Sequence, residues 1–236
     1  MDNREPPAFR NSHNVSRSRI LDPAKSYTFS QYAQLAFNTV DILAELGVTL
    51  TDEALPKPNK APIDATNLQQ ELQENLALVS PSSEIARREC LIFPILKTIC
   101  KTKKLPLRIE YPVRVSSWLK GSFDYFIPDP EQLIVIEAKN SDLARGFTQL
   151  AVELIALDQW TNDTAPILYG AVTTGDTWKF GTFHRQERRV SKDINTYAIP
   201  NDLDRILAFL YRYDDEEFSL PLDSTGDPPA TSTSST

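Results

Sequence analysis

The chain has 236 residues, 41% hydrophobic and 24% charged, with 25 Lys and Arg against 32 Asp and Glu for a net charge of −7. That apolar content can fill a sizeable core and excludes wholesale disorder, and the length allows one substantial domain with an appendage or two small domains. Bulk acidity argues against coating nucleic acid through charge alone, and no apolar run approaches the roughly 18–20 residues that cross a bilayer.

Residues 1–10 are charged and contain Pro, with no apolar h-region, so secretion is not expected. Cys90 and Cys100 fall ten apart in one expected helix, about 15 Å along its axis, too far for a disulfide. A reduced, cytoplasmic protein with no membrane partner is the reading. The charge is uneven: residues 84–120 carry nine basic against three acidic side chains, and residues 178–192 five against one. A local basic face on an acidic protein can still bind a polyanion. The plainer alternative is solvated helix and strand faces.

Residues 1–27 read as a mobile leader. In 29–48, Phe29, Tyr32, Ala33, Ala36, Phe37, Val40, Leu43, Ala44 and Gly47 recur at helical spacing, with Ser30 and Gly47 as punctuation. A Pro- and Lys-bearing connector (55–62) and a second helix (65–79) complete a helical N-terminal lobe over 28–80. Ser82 or Ser83 is placed to cap a helix running to about Cys100, with Ile85, Leu91, Ile92, Ile95, Leu96 and Ile99 as its apolar face. Pro94 inside it predicts a kink or a helix in two pieces.

Three strands follow, over 107–115, 118–127 and 133–139, the last two separated by the Pro128-Asp129-Pro130 turn. A long helix (142–160) precedes strands at 167–174, 177–184 and 190–198, with Gly175-Asp176 as a hairpin turn. A last helix (202–211) closes a domain over 81–213, and the Ser-, Thr-, Pro- and Asp-rich tail over 222–236 reads as disordered. This order describes a mixed α+β fold, a central mixed sheet flanked by helices in the order αβββαβ, with an N-terminal helical extension.

The chemistry concentrates on two strands. Residues 133–138 are apolar on both faces apart from Glu137, as in a strand covered on both sides. Glu137 and Lys139 then share one face about 6.6 Å apart. With 128–133 as the loop, Asp124 falls opposite Glu137, with Cβ atoms roughly 5 Å apart. Two carboxylates so close repel unless a cation stands between them, and Mg²⁺ commonly takes one or two carboxylates with waters for the rest. Lys139 beside such an ion is suited to holding an attacking water or neutralising a phosphoryl transition state.

Asp124 and the Glu137-Ala138-Lys139 run at the end of a hydrophobic strand resemble the PD-(D/E)XK nuclease superfamily, the restriction-endonuclease-like fold, over residues 82–198. The resemblance implies Asp124 and Glu137 as metal ligands with the Ala138 carbonyl, Lys139 as the catalytic lysine, and Mg²⁺ (or Mn²⁺) as cofactor. It also implies a helix-borne acidic group, Glu84 first and Glu89 second, and a site-facing glutamine, Gln149. The tyrosine that some exonuclease-like relatives carry four residues after that glutamine is Glu153 here, and the motif's proline is Phe123. The implied function is a Mg²⁺-dependent nuclease cutting DNA, with RNA left open and a homodimer favoured if both strands are cut. The alternatives are a non-cutting nuclease-fold module that binds nucleic acid or a protein, and a sheet held by a plain Asp124–Glu137–Lys139 salt bridge.

Other candidates carry less. His13 and His184 lack metal-ligand companions at useful spacing. Arg185, Arg188 and Arg189 surround a turn and suit either phosphate contact or simple exposure. Trp118 and Trp178 suit the core better than base stacking.

Overall fold

The computed structural model describes residues 19–58, 60–80, 83–129, 133–138 and 142–212. Residues 1–18 of the leader, the whole tail over 222–236, Ser82, Pro130 and Lys139 lie outside the described residues. Thr28, rather than Ser30, opens helix α1 (Phe29–Tyr32), through a capping box with Gln31. The single helix expected over 29–48 is two short ones, since α2 (Thr39–Glu45) starts anew after Asn38. The reason is that the apolar stripe has two destinations. Phe29 and Tyr32 are buried, with Tyr32 Oη donating to the Trp118 carbonyl at 2.9 Å, while Phe37 and Val40 are exposed. Gly47 (φ +69°) follows the end of α2, as its spacing predicted.

Strand β1 (Thr49–Glu53) lies in the N-terminal lobe expected to be helical, between its two expected helices. Its one apolar residue, Leu50, gave no strand pattern. It is a strand because it lies parallel along a partner 140 residues away, Thr49 against Arg189 through Glu53 against Asp193. Helix α3 (Thr66–Leu78) follows close to expectation.

Ser83 caps α4 (Glu84–Arg87), its Oγ accepting the Ala86 N–H at 3.1 Å. The chain then widens into a π turn (Arg88–Ile92) and runs on as α5 (Phe93–Lys103). Pro94 has no N–H to give the Cys90 carbonyl, which instead accepts from Asn75 Nδ2 on α3 at 2.8 Å. The extra residue in the turn also rotates the helix face. Leu91, Ile92, Ile95, Leu96 and Ile99 are buried as expected, but Ile85, ahead of the turn, is 73% exposed.

Strands β2 (Arg108–Arg114), β3 (Lys120–Pro128) and β4 (Leu133–Ala138) form an antiparallel meander. Helix α6 (Leu143–Trp160), capped by Asp142, crosses over to β5 (Ile167–Thr173), parallel to β4. β6 (Thr177–His184), β7 (Arg189–Asp193) and a short β8 (Tyr197–Ala198) complete the sheet before α7 (Leu203–Tyr211). Among the described residues this is one mixed sheet of eight strands, in the order β1-β7-β6-β5-β4-β3-β2 with β8 beside β6, flanked by helices. No helix in them is long and apolar enough to cross a membrane.

Helix α6 is buried without a break from Gly146 to Leu157, so it needs apolar cover away from the sheet as well as on it. α1 and α2 supply that cover: Phe29, Tyr32, Ile42 and Leu43 join Leu150, Leu154 and Val135 in one core. The opposite sheet face packs Ile95, Ile136, Trp178 and Leu207 into a second core with α5 and α7. The N-terminal cover also depends on a glycine. A Cβ on Gly121 (φ +153°) would stand 2.6 Å from the Phe29 ring, whereas one on Gly47 would meet nothing within 4 Å. Gly121→Ala should therefore lower stability by about 2–3 kcal/mol, and Gly47→Ala by only about 1 kcal/mol from backbone strain. Urea unfolding of the two variants measures the difference, and equal losses would show that the Phe29 contact costs nothing.

Candidate functional site

The β3–β4 ladder pairs Tyr125 with Ile136 and Phe126 with Val135. The same register carries Asp124 to the level of Glu137. Alternation puts Glu137 on the face of Val135, toward α6. The Asp124 side chain is 17% exposed, and its Oδ2 accepts the Ala138 N–H at 2.8 Å. Glu137 is 1% exposed. The register thus sets the two acids expected to converge level with each other on adjacent strands.

Helix α6 adds two more groups. Gln149, buried, donates from Nε2 to Glu153 Oε1 at 2.8 Å, one helical turn on. Glu153 is 0% exposed and is the residue sequence reasoning missed as a member of the site. Burial first, and then the negative charge of Glu137, hold its carboxyl well above the usual carboxylate range. The Gln149 hydrogen bond pulls the other way, and Asp124 adds to the rise. A buried acid within an apolar helix, four residues from a glutamine, was the signal available in the sequence.

The α4–π-turn segment sends an arginine to the site. The Arg88 side chain is 16% exposed, and its Nη1 stands 3.9 Å from Asp124 Oδ1 and 2.6 Å from Glu110 Oε1. Its Nε donates to Tyr125 Oη at 3.3 Å. Burial disfavours the guanidinium charge, but the Tyr125 and Glu110 hydrogen bonds and the Asp124 charge outweigh it, so its pKa is raised. Glu84, the first residue of α4, is half-buried. Glu89 is exposed, and its charge helps burial raise the Tyr125 hydroxyl. Lys139, the expected catalytic lysine, lies outside the described residues.

Among the described residues no group of three or more His, Cys, Asp or Glu side chains is arranged to hold a metal ion. The donor chemistry nevertheless suits a hard divalent cation. Asp124 and Glu137 offer only oxygens, and their charges add to burial in raising a third carboxyl nearby, a repulsion that a cation held by two carboxylates and waters relieves.

The second basic region is occupied within the chain. Arg185 binds the Asp158 carboxylate at 2.6 Å and the Asp163 and Ala165 carbonyls. Arg188 donates to the Leu46 and Gly47 carbonyls, Arg189 pairs with Glu53 and Glu187, and Lys192 pairs with Asp52. Arg188, Arg189 and Lys192 hold the N-terminal segment and β1 on the sheet, and Arg185 holds the end of α6 and the loop after it. Trp178 is core, its Nε1 donating to the Gly175 carbonyl at 3.2 Å. Both cysteines are free thiols, and burial pushes Cys100 up to about 11.

The sequence matches no family model and no curated protein.

A raised pKa in the folded state means that the Glu153 proton contributes stability below the unfolded value near 4.5, and that this is lost as pH rises through the folded value. Thermal melts in EDTA should therefore show Glu153→Gln gaining on wild type as pH rises from about 4.5. A constant difference across that range would mean the carboxyl titrates normally.

Proposed function

We propose that the protein is a Mg²⁺-dependent nuclease that hydrolyses DNA phosphodiester bonds on a restriction-endonuclease-like core. The observation that carries this reading is the register that sets Asp124 on β3 level with Glu137 near the end of covered strand β4, with the Ala138 amide donating to Asp124 and the Gln149–Glu153 pair on α6. A fold stabilised by apolar burial has no need of acids grouped there, and such grouping is a mark of functional sites.

In this reading Asp124, Glu137 and the Ala138 carbonyl hold the ion, with Mn²⁺ as a substitute. When bound, it supplies positive charge to a phosphoryl oxygen and acidifies a coordinated water. The chain's own groups do the rest. Lys139 holds the attacking water or neutralises charge building on the phosphate. Gln149 keeps the Glu153 carboxyl turned toward the site, and Glu84 shapes it from the flanking helix. Exposed Lys97 and Lys101 on α5, Lys104 just after it, and Arg108 and Arg114 on β2 track the DNA backbone, in place of the internally paired 178–192 region. The setting is cytoplasmic, and cutting both strands with one site per chain favours a homodimer.

One observation favours a second reading. Arg88 already brings positive charge to Asp124, which suits a non-cutting module that binds nucleic acid or a protein partner. Cleavage of supercoiled, linear and single-stranded DNA separates the two. Wild type should cut with Mg²⁺ and stop with EDTA, and Asp124→Asn or Lys139→Ala should lower the rate by about 10³-fold. Equal inertness of all three proteins, with DNA binding retained, would favour the non-cutting module.

A further inference from the structure

The ladder between β2 and β3 pairs Ile109 with Tyr125 and Tyr111 with Phe123, and passes over Glu110, which the register sets level with Asp124. Glu110 has φ +51°, a left-handed conformation that is strained for a side chain other than glycine and persists only where its surroundings demand it. The result of that turn is a charged tether. The Glu110 carboxylate reaches Arg88 Nη1 at 2.6 Å, and Tyr125 holds the same guanidinium by its hydroxyl and by its ring, 5.1 Å from centroid to Cζ. So anchored, Nη1 stays 3.9 Å from Asp124 Oδ1, close enough for Coulomb attraction and too far for a hydrogen bond. Arg88 stands beside Asp124 without closing on it.

We propose that Arg88, held back by Glu110, is a built-in counter-cation that sets the affinity of Asp124 for a divalent ion. The inference rests on the metal-binding reading above and names two positioning residues for it. Arg88 acts through Asp124: its charge opposes a second cation arriving there. Glu110 acts through Arg88: without its carboxylate the guanidinium is drawn nearer to Asp124, and its charge opposes an arriving cation more strongly. Loss of Arg88 therefore tightens metal binding, and loss of the Glu110 charge weakens it. A role confined to holding β2 against the helix would leave metal affinity unmoved in both.

Calorimetric titration of the full chain with Mn²⁺ in the absence of DNA tests this. Arg88→Met should bind about tenfold tighter than wild type, Arg88→Lys should restore wild-type affinity, and Glu110→Gln should bind several-fold weaker. In the Arg88→Met background Glu110→Gln should add nothing, because its effect passes through the arginine. Unchanged or weaker binding by Arg88→Met overturns the proposal, as does a Glu110→Gln effect that persists without Arg88. Should Arg88→Met fail to fold, Glu110→Gln decides with the same probe, since that carboxylate is 58% exposed: weaker binding supports the tether, and equal or tighter binding overturns it. Asp124→Asn separates the two levels of the account. Binding that it abolishes but that Arg88 leaves unmoved removes only the counter-cation, whereas wild type and Asp124→Asn equally silent remove the metal reading and the inference with it.

Discussion

Everything at the candidate site depends on a strand register. Shifting β4 by one residue against β3 would turn Glu137 to the opposite face and away from α6. The pairing of Tyr125 with Ile136 prevents this because the ladder residues are committed to two cores: Val135 and Phe126 to the α6 side, Tyr125 and Ile136 to the α5 side. Apolar burial thus fixes where the acids go; burial first, and then the charges of Glu137 and Asp124, raise the Glu153 carboxyl.

The same logic explains why the N-terminal residues pack where they do. A helix buried from Gly146 to Leu157 cannot face water on its outer side, and α1, α2 and the segment leading to β1 cover it. Thr39 Oγ1 meets Thr148 Oγ1 at 2.7 Å, one position before Gln149. Arg188, Arg189 and Lys192 clamp the edge at β7, so charges that looked available to a polyanion serve the fold. The cover that completes the core is therefore tied directly to the helix that carries Gln149 and Glu153.

Much of this was legible in the sequence where the pattern is local. The meander and the 142–160 helix each show their period within a few residues, and the shared level of Asp124 and Glu137 follows from counting across the residues between β3 and β4. What could not be read depends on distant partners. Thr49–Glu53 is a strand only because β7 offers an edge. The 29–48 stripe broke because Phe37 and Val40 stay in water while Phe29 and Tyr32 meet the sheet. Arg88 looked like one more cation on a basic helix until the π turn before Pro94 rotated it inward. Glu153 read as a departure from a tyrosine, and becomes meaningful only when α6 lies against β4. Lys139 lies outside the described residues, so its role rests on the resemblance and on strand alternation.

The proposed nuclease requires that Asp124 and Glu137 together form a divalent-ion site. Its most direct test is the melting temperature of wild type and Glu137→Gln with and without saturating Mg²⁺, because an ion that binds only the folded state stabilises it by mass action. Wild type should rise by several degrees with Mg²⁺, and Glu137→Gln should not. An equal response in both proteins, or none in wild type, would contradict it.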